Sequence, residues 1–169
     1  MKILIFLKIC FIAILISTSL IQAQEVESKL SDLGIELPEV QPPIASYVKW
    51  KQVGNLLYLA GHGTSVKGTL GKDLSISEGY DAAKECGVNI LATLKAATGN
   101  LDRIKQFVKV HGMVRSTPDF THQPKVINGF SDLMVEVFGE KGKHARAAVG
   151  QAALPGGMAV EIEVIVELE

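Results

Sequence analysis

The C-terminal strand constrains the fold most, because residues 160–168 alternate strictly between two kinds of side chain. One side of the extended chain is wholly aliphatic and consists of Val160, Ile162, Val164, Val166 and Leu168. The other side carries three carboxylates and one aliphatic residue, namely Glu161, Glu163, Ile165 and Glu167. A period of two is typical of a β-strand with one buried face. The chain must therefore build a sheet with one face covered by other elements.

Further strands are predicted upstream of this one. Val53-Gly54-Asn55 is turn chemistry between two apolar runs, and it predicts a hairpin between a strand starting at Tyr47 and one over residues 56–61. Residues 104–115 and the small-residue run 145–153 predict two more strands. In the first of these, alternation places Val108, Val110, Gly112 and Val114 on one face and Phe107, Lys109, His111 and Met113 on the other.

Two helices are predicted between the strands. Ser75 and Glu78 fit a capping box, and apolar residues at helical spacing continue to a C-cap at Gly99. A second helix begins near Pro124 and ends at Gly139. Residues 24–45 contain three prolines and predict a short turn and an extended lead-in. The sequence thus predicts an α+β domain with a single mixed sheet of about six strands and two helices packed on one face.

The N-terminal residues 1–23 are interpreted as a signal peptide. Lys2 and Lys8 supply positive charge, residues 9–21 form an uncharged, mostly apolar run, and Ala23 offers a cleavage site. The alternative is a membrane anchor, but the run is shorter than the ~20 apolar residues that span a bilayer. We expect a secreted or periplasmic protein with one domain over residues 24–169 and no stable membrane span after leader cleavage.

Charge and cysteine content exclude several classes of function. The chain has 17 Lys+Arg against 18 Asp+Glu, so no nucleic-acid partner is expected from a broadly basic surface. Two cysteines are too few for a disulfide scaffold or a four-thiolate metal site. The four histidines lack metal-ligand spacing, and no metal site is predicted. Cys86 is expected to be a packed, inert thiol.

Arg146, Glu161 and Glu163 are the charged residues that best fit a chemical role. Arg146 begins a strand of small residues, and a guanidinium can bind a carboxylate through two parallel hydrogen bonds. Glu161 and Glu163 share one side of the last strand and could act as a general base. The alternative for Arg146 is a surface arginine at a strand edge, and the alternative for the two glutamates is a solvated outer face. The sequence pattern alone favours these two alternatives.

Several short segments together resemble the reactive-intermediate deaminase family. They are Tyr47-Val48, Leu59-Ala60-Gly61-His62, His144-Ala145-Arg146 and the strand 160–166. This RidA/YjgF family is also described as L-PSP endoribonuclease-like and as a YjgF/chorismate mutase-like domain. The resemblance covers roughly residues 40–168.

The resemblance implies a chorismate mutase-like fold, a homotrimer and ligand sites in clefts between subunits. It implies that Arg146 binds the carboxylate of a 2-imino or 2-aminoacrylate substrate and that Glu161 places the attacking water. It also implies that Tyr47, Gly61 and His62 line the substrate cleft, with no metal or organic cofactor. The products would be a 2-keto acid and ammonia.

Three departures from the family pattern bear on the cleft. Ala148 replaces a common cysteine, a family asparagine aligns with Ile127, and His144 stands where archetypal members have proline. Three functions follow as hypotheses. The first is a hydrolytic imine or enamine deaminase, the second a non-catalytic module that binds small carboxylates, and the third an endoribonuclease, as in the older family label.

Overall fold

The structure is a computed structural model that describes residues 25–169. The predicted signal peptide, residues 1–23, lies outside the described residues. Three helices are present, and they are α1 (Glu25–Asp32), α2 (Ile76–Thr98) and α3 (Gln123–Phe138). Six strands are present, and they are β1 (Trp50–Val53), β2 (Leu56–Leu59), β3 (His62–Gly63), β4 (Ile104–Arg115), β5 (Ala145–Gln151) and β6 (Val160–Leu168). Short 3-10 turns cover Leu101–Arg103, Gly139–Gly142 and Pro155–Gly157.

All six strands belong to one mixed sheet with the order β1-β2-β6-β4-β5, and β3 pairs with β6 beside β2. The β4–β5 pair is parallel and every other pair is antiparallel. Helices α2 and α3 pack against each other and cover the aliphatic side of β6. The predicted mixed sheet of about six strands is confirmed.

The local signals at the two long helices correspond to real caps. The Ser75 hydroxyl accepts from the backbone N–H of Glu78, and the Glu78 carboxylate accepts from the N–H of Ser75. Gly99 closes α2 in the left-handed conformation at φ 76°, which an L side chain disfavours. Pro124 lies in the first turn of α3, where its missing N–H leaves no hydrogen bond unmade.

Helix α1 was not predicted, because tertiary contacts hold it in place. Val26 and Leu30 are buried in the core. The Val26 N–H donates to the carboxylate of Asp102, and the Leu101 N–H donates to the carboxylate of Glu27. The prolines that argued against a helix begin only at Pro38, after α1 has ended.

The predicted faces of β4 are wrong at Phe107 and Val108. Phe107 is buried among the aromatic rings of α3, and Val108 is exposed. The pairing of β4 with β6 shifts register between Phe107 and Lys109, which is a β-bulge. The extra residue turns Phe107 onto the same face as Val110 and Val114.

Among residues 25–169, no helix is long and apolar enough to cross a membrane. The same residues contain no group of three or more His, Cys, Asp or Glu side chains arranged to hold a metal ion. Cys86 is fully buried, and burial raises the pKa of its thiol well above the ordinary value.

Candidate functional site

Arg146 lies near the start of β5, at the edge of the sheet, and its side chain points toward α3. Its Nη1 atom donates to Asn128 Oδ1 and to Ser131 Oγ, each at 2.9 Å. Nη2 lies 3.5 Å from the backbone oxygen of Pro124. Three oxygens of one helix therefore fix the position of the guanidinium.

No carboxylate of the described residues forms a salt bridge with Arg146. Both protons of Nη1 are used, whereas Nε has no hydrogen-bond partner within residues 25–169. Nε and Nη2 together form one edge of the guanidinium, which matches a carboxylate in width. The arginine is thus held by neutral groups and presents a two-donor edge to a further anion.

Asn128 and Ser131 were not predicted as site residues. They are three apart on α3 and so lie on the same side of the helix. Ile127, where the family asparagine was aligned, is instead fully buried against Gly112 of β4, where a Cβ would be 2.6 Å from Ile127 Cδ1. The amide at Arg146 is supplied by Asn128, one residue later.

His144 also contacts the Ser131 hydroxyl that binds Arg146. Its Nε2 is 3.0 Å from Ser131 Oγ, and its Nδ1 is 2.7 Å from the backbone oxygen of Gly142. Burial, followed by the positive charge of Arg146, lowers the pKa of this histidine. Ala148, which stands where the family commonly has cysteine, is half-buried and packs against the core.

Glu161 lies on β6, with its side chain on the sheet face that the helices do not cover. Burial, and secondarily the charge of Glu163, raises the pKa of its carboxyl group. Gly61 lies directly against this carboxylate, and a Cβ at Gly61 would overlap Glu161 Oε1. Glycine is therefore required at residue 61 if the carboxylate is to keep its position.

A cleft of about 490 Å³ adjoins Gly61. It lies between the extended segment 38–41 and the β3–α2 region, and Lys49 and Asn89 contribute polar groups to its wall. The Asn89 amide donates to the backbone oxygen of Gly63 and so holds the end of β3.

His62 borders the same cleft, but its ring faces the interior. Nδ1 is 2.7 Å from the backbone oxygen of Ala60, and Nε2 is 2.8 Å from Thr93 Oγ1. A carbonyl only accepts, so Nδ1 donates, and the Thr93 hydroxyl then donates to Nε2. Burial lowers the pKa of His62, which agrees with this neutral form. Both nitrogens are occupied, and the ring joins β3 to α2 rather than pointing at a ligand.

Tyr47 is 46% exposed and precedes β1 in the extended segment. Its backbone N–H donates to the oxygen of Ala45, and its phenol has no hydrogen-bond partner within residues 25–169. The predicted cleft position of Tyr47 is therefore a surface position in a single protomer.

Within one protomer, Arg146 and Glu161 are not brought together. Arg146 pairs with Val110 on β4, and Glu161 pairs with Met113 on the same strand. The two residues are thus separated by two strand spacings and by three residues along the strands, about 10 Å in each direction. Their side chains also leave opposite faces of the sheet.

Comparisons with known proteins identify a matching family model and similar sequences and structures. The family model described as "YjgF/chorismate mutase-like, putative endoribonuclease" matches residues 27–168. The protein TCP17 of Trypanosoma cruzi is 42% identical over 157 residues, covering 89% of this chain and 98% of its own. The 2-iminobutanoate/2-iminopropanoate deaminase of Dermatophagoides farinae is 32% identical over 136 residues, covering 80% and 95%.

The same fold is seen in a solved structure. The crystal structure of Atu1372 from Agrobacterium tumefaciens, a protein described as of unknown function, superimposes with a TM-score of 0.81 at 42% identity. The match covers 88% of this chain and 96% of that one.

Proposed function

This chain belongs to the YjgF/chorismate mutase-like family, and we propose that it is a hydrolytic deaminase that converts 2-imino acids to 2-keto acids and ammonia. The observation that carries the proposal is the guanidinium of Arg146. It is fixed by Asn128 and Ser131, it has no carboxylate partner among residues 25–169, and it presents two donors to an anion. The similarity to a 2-iminobutanoate/2-iminopropanoate deaminase supplies the class of substrate.

The reaction needs an anion clamp and a base. Arg146 binds the substrate carboxylate through Nε and Nη2. Glu161 removes a proton from water as the water oxygen bonds to the imine carbon, and the C=N π electrons move to nitrogen. The proton held by Glu161 passes to the nitrogen and gives a carbinolamine. The carbinolamine nitrogen then takes a second proton while its hydroxyl group gives one up, the C–N bond breaks, and ammonia leaves as the C=O bond forms. The imine is already electrophilic, so the proposal includes no metal or organic cofactor.

The raised pKa of Glu161 supports its role as the base. A carboxylate with a pKa nearer neutrality is a stronger base than a fully solvated one. Gly61 leaves room for this carboxylate, because a Cβ at residue 61 would overlap it.

We propose that the site is completed between two protomers of a homotrimer. Arg146 of one protomer would face Glu161, Gly61 and Tyr47 of its neighbour, because a single protomer holds the two halves on opposite faces of the sheet. The uncovered sheet face supports assembly. It carries apolar side chains that water would otherwise reach, namely Tyr58, Met113, Val149 and Ile165.

A non-catalytic binding module is the second candidate, and one observation favours it. The Arg146 clamp is complete within one protomer, without Glu161. A chain that does not assemble would therefore bind a small carboxylate but would lack the base. Carboxylate binding without turnover is the result that this alternative predicts.

We also propose that the protein is exported. The charged start, apolar run and small Ala23 support a cleaved leader. Expression of the full chain, followed by intact-mass measurement of the protein recovered outside the cytoplasm, should give a mass that begins at Gln24. A full-length mass in the cytoplasmic fraction would contradict this proposal.

An amino-acid oxidase that generates 2-imino acids in situ provides the test of activity. Residues 24–169 should accelerate keto-acid release, and Arg146→Ala should lower kcat/KM by about a hundredfold, because two charge-assisted hydrogen bonds are lost. Arg103→Ala is the matched control, since Arg103 is an exposed arginine whose guanidinium donates to the backbone oxygen of Thr98. Equal rates for wild type and Arg146→Ala would exclude the proposed function.

A further inference from the structure

A chain of hydrogen bonds runs behind the Arg146 guanidinium. Arg146 Nη1 contacts Ser131 Oγ at 2.9 Å, Ser131 Oγ contacts His144 Nε2 at 3.0 Å, and His144 Nδ1 contacts the backbone oxygen of Gly142 at 2.7 Å. This chain of hydrogen bonds links β5 to α3 and then to the 3-10 turn that follows α3. It begins at the anion clamp and ends inside the protein.

The direction of every proton in this chain follows from its ends. The Gly142 carbonyl can only accept, so His144 carries its proton on Nδ1. The neutral ring then has a lone pair on Nε2, and the Ser131 hydroxyl donates to it. The Ser131 oxygen is left with its lone pairs facing Arg146, which can only donate.

The His144 ring is well placed to keep this orientation. It packs against the rings of Phe107 and Phe130, with centroids at 6.4 Å and 5.7 Å. Burial and the charge of Arg146 both lower its pKa, so the neutral form is favoured. The serine hydroxyl therefore has one preferred direction rather than three.

We propose that His144 is a positioning residue for the anion clamp, and that it acts through Ser131 to fix Arg146 with its Nε edge turned toward the substrate carboxylate. This inference rests on the proposed function of Arg146 and goes beyond it, because it assigns a role to a residue that does not touch the ligand. Without the acceptor at His144, the Ser131 hydroxyl can rotate and point its proton at Arg146. The clamp would then lose one of its two side-chain anchors.

Carboxylate affinity measures this effect directly. The probe is 2-oxobutanoate, the keto acid formed from 2-iminobutanoate, titrated calorimetrically into residues 24–169. His144→Phe keeps a ring between the two phenylalanines but removes both nitrogens, and Ser131→Ala removes the link itself. Each should weaken binding by about fivefold, the worth of one ordinary hydrogen bond. KM for the imine should rise by the same factor while kcat stays unchanged, since the base is untouched.

The double variant Ser131→Ala/His144→Phe tests whether the effect of His144 passes through Ser131. If His144 acts through Ser131, the second substitution adds nothing, and the double variant binds as weakly as Ser131→Ala. If His144 instead affects the clamp by a route that does not pass through Ser131, the two losses multiply to about twenty-fivefold. His144→Gln restores an acceptor for the serine hydroxyl, and it should bind within about twofold of wild type.

Two results would overturn the inference. One is wild-type affinity in His144→Phe, and the other is multiplied losses in the double variant. Failure of the proposed function looks different, because Arg146→Ala would then bind 2-oxobutanoate as well as wild type does. Ser131→Ala removes a single half-buried oxygen from the surface of α3, and it keeps the test valid if His144→Phe fails to fold.

Discussion

Arg146 and Glu161 leave opposite faces of the same sheet, with β4 lying between their two strands. Arg146 pairs with Val110 and Glu161 with Met113, three residues further along β4. A substrate a few atoms long cannot touch both side chains of one protomer. An enzyme that uses both must therefore obtain one of them from a second copy of the chain.

Glu161 and Glu163 predict a pH dependence of the rate. A base works in its ionised form, so activity should fall as the pH drops through the pKa of Glu161, which lies above the ordinary glutamate value. Glu163→Gln removes a negative charge that disfavours ionisation of Glu161, so the acid limb of the kcat profile should move to lower pH. Glu161→Gln should lower kcat by about a hundredfold and leave 2-oxobutanoate affinity unchanged. An acid limb unmoved by Glu163→Gln would contradict this coupling.

Gly61 and Gly63 give a matched pair of substitutions. A Cβ at residue 61 would displace the Glu161 carboxylate, whereas a Cβ at residue 63 would displace the end of the Met158 side chain. Gly61→Ala should therefore lower kcat by about tenfold, while Gly63→Ala stays close to wild type, because general-base catalysis depends on the position of the carboxylate. Both displaced groups are ends of flexible side chains, so thermal melting should be similar for the two variants. Equal loss of activity in both variants would exclude the specific role of Gly61.

Phe107 and Val108 test the bulge in β4. Phe107 is buried between Phe130 and Phe138, so Phe107→Ala should lower the free energy of unfolding by about 3–5 kcal/mol. Val108 is 36% exposed, and Val108→Ala should change the free energy of unfolding by less than about 1 kcal/mol. Urea unfolding of the two variants measures both values. If Val108→Ala were the more destabilising variant, the strand would alternate regularly through these residues, and the bulge would be contradicted.

Tyr58 tests the assembly on the uncovered face. It is 41% exposed in one protomer, and a charge there would be buried in a trimer. Tyr58→Glu should shift light scattering from trimer to monomer and abolish turnover. Val135→Glu is the matched control, because Val135 is 38% exposed on the outer side of α3 and should stay trimeric. A wild-type chain that is already monomeric would contradict the composite site.

Much of the fold could be predicted because its signals are local. The alternation in β6, the Ser75–Glu78 capping box and the Gly99 C-cap each depend on residues close together in sequence. Helix α1 and the β4 bulge could not be predicted in this way. The first depends on capping by Asp102, far along the chain, and the second on the pairing register with β6.

The site also contains some residues that the sequence predicts and others that it does not. Arg146, Glu161 and Gly61 all lie in the segments that resemble the family, and the resemblance alone singles them out. Asn128 and Ser131 could not be chosen from the sequence, because polar residues on an amphipathic helix are usually solvated. Only the packing of α3 beside β5 shows that both of these side chains point at Arg146.

Subunit complementation tests the central claim most directly. Arg146→Ala and Glu161→Gln should each be nearly inactive alone. When the two are unfolded, mixed in equal amounts and refolded together, random assembly leaves about a quarter of the sites with Arg146 from one subunit and Glu161 from its neighbour, since a cyclic trimer repeats one head-to-tail interface. Activity should recover to about a quarter of the wild-type value. No recovery, in a mixture shown to contain mixed trimers, would mean that both residues act within one protomer or that neither acts in turnover.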